Sequence, residues 1–183
     1  MAYRGKEIQN PVTKQQILFL QTGKDTGGQL LEMKATFAAH SVEPALHYHP
    51  CQEEDFTVLE GELTVKMPGQ TMVLRPGDSL HISPGINHAM WNGTDKKTVV
   101  NWQVRPAMNS EHLLETAAGL AKDGKVNKKG MPGLLQVALM ANKYSGVFRL
   151  SKPAFVVQKI LFLLLSPFAF LAGLQADYEE YLD

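Results

Sequence analysis

The chain has 183 residues, 44% of them hydrophobic, and its 18 basic and 18 acidic side chains leave no net charge at neutral pH. That length suits one domain of ordinary size plus an appendage, and the balanced charge gives no bulk attraction for nucleic acid. A single cysteine, Cys51, excludes an intramolecular disulfide framework and suits a reducing compartment; the opening Met1-Ala2-Tyr3-Arg4-Gly5-Lys6-Glu7 lacks the apolar run of a secretory signal, so a cytoplasmic protein is expected.

Residues 1–15 are polar, broken at Asn10-Pro11, and read as an N-terminal arm. Ile17-Leu18-Phe19-Leu20, ended by Gly23 and Gly27-Gly28, reads as a strand and a turn, giving a leading unit of 1–29. Leu30–Ala39 is the next strand candidate, broken at Glu43-Pro44. Short apolar runs then alternate with turn signals at Gly61, Pro68-Gly69, Pro76-Gly77, Pro84-Gly85 and Asn92-Gly93. A turn roughly every 8–12 residues is the rhythm of an all-β sandwich or barrel, and residues 30–108 are expected to form it.

From residue 109 the pattern becomes helical, and 109–183 is expected to be an α-helical C-terminal extension. Asn109 or Ser110 would cap a helix over Glu111–Ala121, with Leu113, Leu114, Ala117, Leu120 and Ala121 on one face. Pro132 suits the first turn of a second helix. A third would run from about Ala154 to Leu165 and restart at a kink, with Ser166 as cap and Pro167 in the first turn, to about Leu171. Asp177–Asp183 is an acidic tail.

The chemistry centres on His47-Tyr48-His49-Pro50-Cys51-Gln52-Glu53-Glu54-Asp55-Phe56. Strand side chains alternate, so His47 and His49 point the same way. Two imidazoles and a following carboxylate make half a site for a borderline divalent metal, and His88 supplies the other half. Two spaced patterns emerge: His47-x-His49-x4-Glu54-x6-Gly61 and Gly77-x5-Ser83-Pro84-Gly85-x2-His88-x3-Asn92.

Together these closely resemble the two-motif signature of the cupin superfamily over roughly residues 30–106. The one departure is Ser83, where the family often has proline. The resemblance implies an antiparallel jelly-roll β-barrel enclosing one divalent transition metal ion (Fe, Mn, Ni, Cu or Zn), held by His47, His49, Glu54 and His88. The family register selects Glu54 over Glu53, since a one-residue slip flips every side chain. It further implies dioxygenation or isomerisation of a small organic molecule, with Glu54 as a catalytic base; some cupins instead serve as non-catalytic binding cups, and fold alone does not decide. Phe37, Phe56, Met90 and Trp102 are candidates to line the cup, which suits a partly apolar substrate. Cys51 is read as a small apolar residue rather than a ligand, and His81 as structural.

Between Lys122 and Lys159 lie eight basic residues opposed only by Asp123, followed by an apolar run over residues 160–174. That run is short of the ~20 residues of a transmembrane helix and is broken by Ser166-Pro167. A helix apolar on all sides normally means burial on all sides, so packing, mainly in a homodimer, is expected. Membrane contact through 152–174 is the less favoured reading.

Overall fold

Alternation builds the core. In the computed structural model, which describes residues 2–182, the strand Leu31–Phe37 buries Leu31, Met33, Ala35 and Phe37 and turns Glu32, Lys34 and Thr36 away. Met1 of the N-terminal arm and Asp183 of the acidic tail lie outside the described residues. In chain order β1 (Glu7–Gln9), β2 (Gln16–Gln21), β3 (Leu31–Phe37), β4 (His47–Tyr48), β5 (Glu53–Glu60), β6 (Leu63–Met67), β7 (Gln70–Leu74), β8 (Ser79–Ile82), β9 (Ala89–Trp91) and β10 (Thr98–Arg105) precede α1 (Ser110–Lys122), α2 (Leu134–Lys143), β11 (Arg149–Leu150), α3 (Phe155–Leu171) and α4 (Glu179–Leu182).

The strands pair antiparallel in a six-stranded sheet, β1-β2-β3-β10-β5-β8, a three-stranded sheet, β7-β6-β9, and a two-stranded pair, β11-β4. One core fills the space between the two larger sheets: Leu31, Met33 and Val100 from one meet Leu63, Val65 and Met90 from the other. The ladders do not close among the described residues, so the expected barrel is observed as a β-sandwich. The sheets are stitched by the chain's two motifs. His47 and His88 form an isolated antiparallel bridge, each backbone N–H donating to the other's carbonyl at 3.1 and 2.8 Å, and Gly85 N–H donates to the His49 carbonyl at 2.8 Å. Gly61 closes the turn between β5 and β6 at φ +77°, and a Cβ there would collide with the Lys97 carbonyl.

Several sequence expectations change in detail. The polar arm carries β1, an edge strand on β2. Pro132 lies ahead of α2, in a bridge with Val126, and α2 begins at Leu134. α3 runs unbroken through Pro167. Ser166 is not a cap; its hydroxyl donates to the Phe162 carbonyl at 2.7 Å, while Pro167 is exposed. The acidic tail folds back as α4, with Tyr178 and Tyr181 joining Leu120, Met140 and Tyr144 in a second apolar cluster. α2 packs along α3, yet α3 is not buried all round: Val156, Ile160, Leu163, Leu164, Phe168 and Leu171 are 57–86% exposed. None of the described helices is long and apolar enough to cross a membrane.

Candidate metal centre

The inward face of β5 continues Glu54, Phe56 and Val58, so the register that buries the core also brings Glu54 in and leaves Glu53 only half-buried. Glu54 is 1% exposed. Isolated burial of a carboxylate costs several kcal/mol, so its neighbours decide whether it is tolerated. Trp102 on β10 donates its indole N–H to Glu54 Oε1 at 2.9 Å. The other oxygen, Oε2, faces the histidines: His88 Nε2 is 2.9 Å away and His49 Nε2 3.4 Å.

One ring nitrogen from each of His47, His49 and His88 lies within 4.8 Å of the other two. All three rings are fixed the same way. Nδ1 of His47 meets the Ala45 carbonyl at 2.9 Å, that of His88 the Ile86 carbonyl at 2.9 Å, and that of His49 the Val147 carbonyl at 2.5 Å. A carbonyl only accepts, so each Nδ1 carries a proton and each ring turns its Nε2 toward its neighbours. His49 Nε2 and Glu54 Oε2 are buried with no hydrogen bond. A neutral His88 would set a lone pair against a carboxylate oxygen, an arrangement that calls for a proton or a cation between them.

The electrostatics agree. Burial pushes the His47 imidazole down to about 3, helped by repulsion from His88 and His49. Burial likewise lowers His49. Burial lowers His88 too, but the Glu54 carboxylate beside it outweighs that and raises it. Burial raises Glu54, and the three histidines reverse the sign and lower it. The donor set of imidazole nitrogens and a carboxylate therefore fits a divalent transition metal. Its second layer of carbonyls on Nδ1 is the arrangement that orients metal-binding histidines. Glu54 stands beside this three-histidine group rather than within its mutual 4.8 Å set.

The cluster faces a cavity of about 390 Å3 whose lining includes Phe37, Phe56, Met90 and Trp102. Phe56 and Trp102 stack at 5.6 Å between centroids. The sequence reading missed the part of the lining that comes from the C-terminal half. β11 pairs with β4, so Leu150 lies against His47, and Phe148 stacks on the His47 ring at 4.7 Å. Leu114, Met140 and Phe162 complete that part from the helices. Cys51 is exposed. His81 is half-exposed, with Nδ1 2.8 Å from Asp55 Oδ1.

A β-sandwich whose cavity is lined by three converging histidines and a buried glutamate is an arrangement suited to a metal ion. Residues 33–104 match the Cupin domain family, and this segment of the chain belongs to the cupin superfamily. An oxidoreductase of Arthrobotrys oligospora is 33% identical over 101 residues, which cover 49% of this chain and 40% of that relative's length. A predicted oxalate decarboxylase of Thermotoga maritima superposes with a TM-score of 0.50 at 17% identity, over 58% of this chain and 99% of the other. KdgF of a Halomonas species gives 0.49 at 17% identity, over 58% and 93%. At such identity the structural likeness shows the fold alone.

Proposed function

We propose that the protein is a metal-dependent cupin enzyme acting on a small, partly apolar organic molecule by dioxygenation or isomerisation. The observation that carries this reading is the common ring orientation: three carbonyls hold three Nδ1 protons, so three Nε2 atoms converge at one place beside Glu54. His47, His49 and His88 would hold one ion of iron, manganese, nickel, copper or zinc, with Glu54 as fourth ligand. Such an ion supplies Lewis acidity, and iron or copper adds one-electron chemistry toward O2. The likeness to an oxidoreductase of Arthrobotrys oligospora supports the oxidative form of the reading.

The protein's own groups have separable roles. Trp102 holds Glu54 Oε1, which leaves Oε2 toward the triad; released from the ion, that oxygen would take a proton from a bound substrate. Phe37, Phe56, Met90, Phe148 and Phe162 offer apolar contact and exclude water. Elemental analysis of the purified protein tests the site: about one transition metal ion per chain is expected, and almost none in His49→Ala. Full stoichiometric metal in that variant would overturn the ligand assignment. Metal bound without metal-dependent turnover across small aromatic and aliphatic substrates would instead assign a binding cup.

A further inference from the structure

α3 is built inside out. Its buried residues are Gln158, Phe162, Ser166 and Ala169, two of them polar, on the side packed along α2. Gln158 donates to the Leu150 and Pro153 carbonyls, and Asn142 donates to the Ser166 hydroxyl. Facing away are nine large apolar side chains between Val156 and Leu171, 40–86% exposed. With 3.6 residues per turn, they and Pro167 fill an unbroken arc of about 180°. No charged or hydrogen-bonding side chain interrupts it.

We propose that this face docks onto an anionic lipid bilayer, with α3 lying in the plane of the interface. Two observations favour lipid over a second copy of the chain. The first is width. Helix packing occupies a stripe of roughly 100°, as α2 does along its row of four buried residues. A partner helix would cover one such stripe and leave much of the arc wet, whereas a membrane surface covers half a cylinder.

The second is charge. Residues 124–176 hold seven basic side chains and no acidic one. Lys125 and Lys143 are paired with Asp123 and Asp177, while Lys152 and Lys159 stand exposed at the start of α3. Anionic headgroups would neutralise them.

A free interfacial helix needs a charged face of its own. α3 does not, because its other face is covered by α2. Its length, below the ~30 Å of a bilayer core, fits a helix that lies on the membrane rather than through it. Phe155 and Phe162 on α3 also line the cavity, so the docked helix and the cavity share a wall.

The test is co-sedimentation of the 183-residue chain with vesicles of phosphatidylcholine, with and without phosphatidylserine, at low and high salt. Binding to the phosphatidylserine vesicles at low salt is expected to fall at least about tenfold in Leu164→Glu/Phe168→Glu. Both side chains are exposed, at 65% and 61%, so circular dichroism of that variant should match the parent. Lys152→Glu/Lys159→Glu keeps the apolar face and is expected to lose the preference for phosphatidylserine. Absence of binding at low salt, or equal binding by the apolar-face variant, would overturn the proposal. So would a dimer in sedimentation velocity without lipid that the same variant dissociates, which would give the face to a second copy.

Discussion

At the scale of single residues, two side chains separate positioning from simple burial. Trp102 holds Glu54 by one hydrogen bond, at 2.9 Å. Trp102→Phe keeps an aromatic ring against Phe56 but frees Glu54 Oε1, and outer-shell losses of this kind typically weaken metal binding ~10–100-fold. Competition with a fluorescent chelator should show that loss with the fold intact; unchanged affinity would mean that Glu54 orients without Trp102. Glu111, at the start of α1, accepts from Gly23 N–H at 2.6 Å. Burial raises its carboxyl above the usual range, and the Gly23 bond only partly offsets this. A raised acid binds its proton more tightly in the folded state. The fold is therefore penalised as pH rises from the ordinary value of 4.5 through the raised one. Glu111→Gln keeps an acceptor for Gly23 and removes the penalty. Its thermal midpoint should exceed the parent's at pH 7 and converge with it below about pH 4; a gain that persisted at acid pH would point to packing instead.

At the scale of elements, the motifs were legible because each position has a local physical reason. His47 and His49 share a strand face, Glu54 falls on the buried side of β5, and Gly61 holds a conformation that other residues resist. Gly61→Ala adds the left-handed penalty of about 1–2 kcal/mol to a collision with the Lys97 carbonyl. A loss of about 2 kcal/mol or more in urea unfolding is expected; a neutral result would mean that the β5–β6 turn relaxes freely. Elements whose reason is distant were not legible. β1 is polar and short, and only pairing with β2 makes it a strand. β11 is two residues long and gains its place from β4 about 100 residues earlier. The Val147 contact with His49 is made by a backbone carbonyl, which leaves no trace in side-chain identity. α3 reads as apolar all round in sequence, so the pattern could not show that its few polar residues turn inward.

At the scale of the whole molecule, the cavity depends on both halves of the chain. The sandwich contributes His47, His49, Glu54 and His88. The segment after α2 contributes the Val147 carbonyl on His49 and the Phe148 ring on His47. Binding an ion at such a site should therefore tie the two halves together. A ligand that binds only the folded form stabilises it by RT ln(1 + [L]/Kd), about 2.7 kcal/mol at a hundredfold excess over Kd. Phe148→Ala removes one ring from the wall without touching a ligand nitrogen. Stopping the chain after Tyr144 removes the carbonyl, the ring and α3 together. Metal-induced gains in thermal midpoint should be largest in the parent, smaller in Phe148→Ala and smallest in the truncated chain, with the β-type circular dichroism retained in all three. Equal gains would mean that the sandwich alone builds the site and that the C-terminal segment only roofs the cavity. The graded loss is expected because the tautomer of His49 is fixed from the C-terminal side: without the Val147 carbonyl the ring is free to turn the wrong nitrogen inward.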